Sequence, residues 1–91
     1  MELSFVKEGG KYSAEFEVTA DFNLHIERDT NGFLFVQQRT ASSGQYDSIQ
    51  GVNFAPNDIV IDIDFVGVVY PKWIKVVSEV EPTVAVVTFN A

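Results

Sequence analysis

The chain has 91 residues, of which 46% are hydrophobic and 21% charged, a balance that supports one packed core and excludes an extended disordered polymer. It has no cysteine, which excludes a disulfide scaffold, a thiolate metal site and a cysteine nucleophile. Thirteen acidic against six basic residues give a net charge of -7, the sign that nucleic-acid phosphates and anionic lipid surfaces repel.

Val, Ile, Phe, Tyr and Thr dominate, and Leu occurs only at positions 3, 24 and 34, so strands are expected throughout and helices nowhere. The N-terminal stretch carries Glu2 and no apolar h-region, so no secretory signal is expected there. A first strand over 3–7 runs into Glu8-Gly9-Gly10. That Gly-Gly step supplies the positive φ angles of a two-residue hairpin. Tyr12, Ala14, Phe16 and Val18 alternate with Ser13, Glu15, Glu17 and Thr19, the period of a strand with one buried and one wet face, predicted over 11–19. Phe22, Leu24 and Ile26 against Asn23, His25 and Glu27 repeat the pattern over 22–28. Asp29-Thr30-Asn31-Gly32 then predicts a second hairpin, leading into 33–40. In that strand Phe33, Leu34, Phe35 and Val36 are consecutive, so one apolar pair must face away from the core.

Thr40-Ala41-Ser42-Ser43-Gly44 reads as a loop inside the domain. Ile59, Ile61, Ile63 and Phe65 alternate with Asp58, Asp62 and Asp64, with Val60 on the outer side. Two aspartates punctuate the apolar stretch 59–70, which is too short to span a bilayer, and no membrane segment is expected. Pro56, Pro71 and Pro82 mark loops or strand entries, because a nitrogen without a hydrogen damages a central ladder. The last strands are predicted over 73–80 and 83–89. Both carry apolar residues on both faces, which calls for cover from an overlying loop or a second chain. The expected architecture is an all-β antiparallel sandwich of seven to eight short strands, one domain over 1–91.

His25 is the only histidine, and it falls on the wet face of its strand with no G-x-S-x-G elbow anywhere, so a solvated residue is expected there rather than a catalytic base. A small hydrolase would require His25 buried beside Asp or Ser partners. Asp62 and Asp64 share one strand face, roughly 6.5 to 7 Å apart along it. With Asp58 they are candidate ligands for an oxygen-seeking cation such as Ca²⁺, and with exposed Trp73 or Tyr70 they would form a carbohydrate- or calcium-binding module. A solvated acidic face explains the same aspartates. Lys72 and Lys75 flank Trp73, and Arg28 and Arg39 lie near aromatic strands, an interleaving that single-strand binders use, but the acidic balance favours lysines snorkelling beside a half-buried tryptophan.

Glu8-Gly9-Gly10-Lys11-Tyr12 leads into Phe16-Glu17-Val18-Thr19-Ala20-Asp21-Phe22-Asn23-Leu24-His25-Ile26-Glu27-Arg28. Gln38-Arg39-Thr40 follows with Gly44-Gln45-Tyr46-Asp47, then Tyr70-Pro71-Lys72-Trp73-Ile74-Lys75-Val76 with Glu81-Pro82. In these segments the chain resembles small β-sandwich proteins of tailed bacteriophages that act as auxiliary or decoration subunits on the capsid. The resemblance implies a non-enzymatic structural protein without a cofactor. Such a protein is made in the host cytoplasm and held on the capsid exterior, where it stabilises capsomers or attaches head fibres. Its partners would be the major capsid protein or other virion proteins, and sister copies in a homo-oligomer, with neither nucleic acid nor membrane. Trp73 is then the expected anchor, since large aromatics carry a disproportionate share of interface energy. Phe33, Phe35 and Tyr46 are secondary candidates, beside Lys72 and Lys75.

Overall fold

Alternating burial is the first consequence of the period-2 pattern: in the strand Asp21–Glu27 every second side chain, Phe22, Leu24 and Ile26, is buried, while Asn23, His25 and Glu27 stay half-buried on the other face. The computed structural model describes residues 1–40, 44–48, 59–67 and 72–90. Among them eight strands form two antiparallel sheets. The strands are β1 (Val6–Glu8), β2 (Lys11–Glu17), β3 (Asp21–Glu27), β4 (Leu34–Arg39), β5 (Asp47–Ser48), β6 (Val60–Phe65), β7 (Trp73–Ser78) and β8 (Val84–Asn90). One sheet has the order β1-β2-β7-β4-β5, the other β6-β3-β8.

The two sheets pack face to face over one core. Phe16, Val18, Leu34, Val36, Ile74 and Val76 come from the larger sheet and its connections, and meet Phe22, Leu24, Ile26, Ile61 and Val87 from the smaller. Phe22 is the hub: its ring lies edge-on to Phe16 at 5.3 Å, stacks on Phe65 at 4.6 Å and tilts against Phe89 at 6.1 Å. The expected all-β sandwich is the fold observed.

The first hairpin forms as predicted. Glu8 pairs with Lys11, and Gly9 and Gly10 take φ of 59° and 77°, the two positive angles a type I′ turn needs. The second predicted hairpin does not form. β3 pairs with β6 and β8, whereas β4 pairs with β5 and β7, so residues 28–33 arch from one sheet to the other. Neither Asn31 nor Gly32 has a positive φ. Gly32 serves close approach instead, since a Cβ there would lie 2.7 Å from Glu79 Oε1 and 3.1 Å from Val80 Cγ2. The arch is held by the buried Arg28, whose Nη1 donates to Phe33 O at 3.1 Å and to Ser78 Oγ at 3.4 Å. Around it Glu79 N donates to Phe33 O at 3.0 Å and Phe33 N to Glu79 Oε1 at 3.2 Å. A buried guanidinium that needs acceptors outweighed the local turn preference of Asn-Gly.

Strand limits shift by a residue or two elsewhere, and the predicted strand over 3–7 begins later, at Val6. The residues before it join the other sheet: Leu3 N donates to Ala85 O at 2.9 Å and Val87 N to Met1 O at 2.8 Å. The two-residue β5 was not predicted, being too short to show a period.

Candidate functional site

Two open sheet faces lie on opposite sides of the sandwich, and both derive from strands whose alternate side chains cannot reach the core. On the larger sheet β7 is central, with β2 on one side and β4 on the other. Register lines its outward residues into three rows: Glu17–Trp73–Arg39, Glu15–Lys75–Gln37 and Ser13–Val77–Phe35. Tyr46, just before β5, reaches over the first two rows. Arg39 Cζ lies 4.6 Å from the Tyr46 ring and 6.0 Å from the Trp73 ring, and Lys75 Nζ lies 5.7 Å from Tyr46. Desolvation, and then the neighbouring Glu15 carboxylate, push the Tyr46 phenol up from its ordinary pKa.

Phe33 and Phe35 are the pair that face away from the core, while Leu34 and Val36 are buried within it. Their rings stack at 5.0 Å, Lys11 Nζ sits 5.6 Å from the Phe33 ring, and Phe35 is 51% exposed. A trough of about 480 Å³ crosses this face, lined by Lys11, Ser13, Phe35, Gln37, Lys75 and Val77 among others. The structure thus gathers Trp73, Phe33, Phe35, Tyr46 and Lys75 on one face. Lys72 is elsewhere, with Phe22, Phe65 and Ile74 around a smaller cavity at the mouth of the sandwich. The sequence placed Arg39 near aromatic strands without assigning it to this contact group, because its place beside Trp73 and Tyr46 depends on pairing across strands.

The second open face carries the aspartates. Asn23 Nδ2 donates to Asp62 Oδ1 at 2.6 Å and to Asp64 Oδ1 at 2.9 Å. His25 lies on the wet face as expected, but with partners: its side chain is 30% exposed, its Nδ1 lies 3.0 Å from Asp62 Oδ2, and its Nε2 lies 2.8 Å from Glu27 Oε2. Cross-strand pairing of β3 with β6, invisible to a single-strand reading, puts the carboxylate opposite the ring. A carboxylate at each ring nitrogen favours the doubly protonated imidazole, which can donate to both. Trp73 and the aspartates stand on opposite faces of the sandwich and make no common site. Asp58 and Tyr70 lie outside the described residues.

These contacts give the face a pH signature. Glu27 first and Asp62 second raise the His25 pKa above 6.5. A raised value in the folded state stabilises the fold below the unfolded pKa, and that contribution is lost as pH rises through the folded one. Asp62 is lowered by Asn23 and then by His25, so its contribution is present above the unfolded carboxylate pKa and lost on acidification. The melting temperature of the native chain, relative to a His25→Gln variant, is therefore expected to fall from about pH 6 to about pH 9. A difference that stays constant across that range would show that the histidine contacts do not form in solution.

The chain was compared with known proteins in three ways, and no family model, no curated protein and no solved structure matches it.

Proposed function

We propose that the chain is a non-enzymatic structural subunit that works by adhesion: an auxiliary or decoration protein on the exterior of a bacteriophage capsid, stabilising capsomers or attaching head fibres. Its contact surface is the outer face of the five-stranded sheet. The observation that carries the reading is the convergence of Trp73, Tyr46, Phe33 and Phe35 on that face, with Phe35 half exposed. Aromatics and arginine mixed with a polar surround are the composition that protein interfaces favour. The capsid as the setting rests on the resemblance described above.

Quantitative mass spectrometry of purified particles tests it. The expected result is a fixed, high ratio of this chain to the major structural protein. Absence from intact particles would sink the capsid reading.

Trp73→Ala separates contact from core. Trp73 is only half-buried within the chain, so its loss is expected to weaken assembly by about 2 kcal/mol or more, roughly thirtyfold, with a smaller effect on folding. Copies per particle and a denaturant melt measure the two effects. Equal losses in both would make Trp73 a residue of the fold alone.

A further inference from the structure

The two open faces differ in charge. On the three-stranded sheet the outward residues of the described strands include Asp21, Glu27, Asp62 and Asp64 and neither lysine nor arginine. Among the described residues the five-stranded face holds Lys11, Lys75 and Arg39 against Glu8, Glu15 and Glu17, three of each sign. In a chain of net charge -7, a second copy meets mutual repulsion on the first face and local neutrality on the second.

The arrangement within the balanced face is what selects the partner. Glu17 and Arg39 flank Trp73 at the same height, one on β2 and one on β4. Ser13 and Phe35 flank Val77 in the same way, and Glu15 and Gln37 flank Lys75. In each row a residue on one side of β7 is matched by its complement on the other: acid against cation, small against large, carboxylate against amide. A two-fold axis lying in the interface along β7 would set the β2 side of one copy on the β4 side of the other. Each row then meets its own reverse, as an isologous interface requires.

We propose that a second copy of this chain covers the outer face of the five-stranded sheet, packed face to face about a two-fold axis along β7. The inference rests on the adhesion reading above and names the partner of that same face. Glu17 of each copy meets Arg39 of the other, twice per dimer. Arg39 Nη1 already reaches Gly44 O at 3.2 Å and Nε is buried, so Glu17 of the other copy meets the guanidinium as a charge rather than through Nε. Phe35 of each copy enters the trough beside Ser13 of the other, over Val77. Trp73 meets its symmetry mate near the axis. Lys75 does as well, each ammonium offset by its own Glu15 at 4.0 Å.

Strands of 3, 7, 6, 6 and 2 residues, at ~4.8 Å spacing and ~3.4 Å rise, give a face of roughly 400 Å², about 800 Å² when doubled and in the range of weak, transient contacts. The dimer is accordingly concentration-dependent. Sedimentation velocity of the full chain from micromolar to millimolar concentration is expected to pass from the 10.1 kDa monomer to twice that mass. Glu17→Arg and Arg39→Glu should each weaken association at least tenfold, and the double swap should recover most of the loss. Phe35→Ser, far from both charges, should weaken it similarly, and circular dichroism with a thermal melt confirms that each variant is folded.

A chain that stays monomeric throughout overturns the dimer, as does a dimer indifferent to both Glu17→Arg and Phe35→Ser. Particle incorporation keeps the two readings apart. Monomer in solution with normal incorporation defeats the dimer and leaves the capsid subunit standing, whereas a dimer absent from particles does the reverse.

Discussion

Phe22→Ala is expected to cost the fold about 3–5 kcal/mol, the range for deleting a buried phenyl ring and leaving a cavity. Phe22 is 1% exposed and its ring touches Phe16, Phe65 and Phe89, so the deletion strips contacts from both sheets at once. No single neighbour can collapse into the space, because the three rings around it are anchored on β2, β6 and β8. At ~0.05–0.15 kcal/mol per residue a chain of this length holds roughly 5 to 13 kcal/mol in total. The variant would therefore lose between about a quarter and all of its stability, with a melting temperature lower by roughly 12 to 40 °C at ~4–8 °C per kcal/mol. Phe35→Ala, on the open face, should cost less than about 1 kcal/mol by the same melt. Comparable losses from the two variants would mean that the outer face is packed as tightly as the core.

Arg28→Ala is expected to destabilise by about 2–4 kcal/mol, since hydrogen bonds from a charged donor are worth ~1.5–3 kcal/mol each and the longer one counts for less. The side chain is 4% exposed and supplies donors to Phe33 O and Ser78 Oγ, tying the arch to the end of β7. Ser78 is itself fully buried and donates to Val80 O at 2.6 Å, so the loss reaches the connection that follows. Arg28→Met separates packing from hydrogen bonding: it restores apolar volume without donors. If the methionine variant melts with the native chain in urea, the guanidinium contacts contribute nothing and the arch is held by packing. If it melts with the alanine variant, the bonds hold the arch. Because the arch positions Phe33, the alanine variant is also expected to weaken contacts made through Phe33 and Phe35.

The predicted hairpin at Asn31-Gly32 shows where local reasoning stopped. Asn-Gly favours a tight turn when nothing else competes, and the residue that competes, Arg28, carries no local mark of burial. Its acceptors are Phe33 O and Ser78 Oγ, the second fifty residues away. The partners of His25 were hidden for the same reason. Its partner Asp62 lies 37 residues downstream and faces it only because β6 pairs with β3.

The aromatic face was half legible. Trp73, Phe33, Phe35 and Tyr46 stood out as large apolar residues at positions that could not all be buried, and the alternation of β4 required that either Phe33 and Phe35 or Leu34 and Val36 point outward. Which pair did so depended on the sheet to which β4 was added. Membership of Arg39 in that face, and the exclusion of Lys72 from it, followed from cross-strand register and from position relative to the sandwich mouth.

Composition, period-2 alternation and the Gly9-Gly10 turn are local properties, and from them alone came the all-β class, most of the strands, the first hairpin and the absence of cysteine chemistry. Sheet membership, strand order and the company each outward side chain keeps are properties of pairs far apart in the chain. They are settled by burying the apolar faces of eight strands against one another while giving the buried Arg28 Nη1 its acceptors on Phe33 and Ser78. That global requirement, and no local signal, put Trp73, Tyr46, Phe33, Phe35, Arg39 and Lys75 on one face of the sandwich and Asp62 and Asp64 on the other.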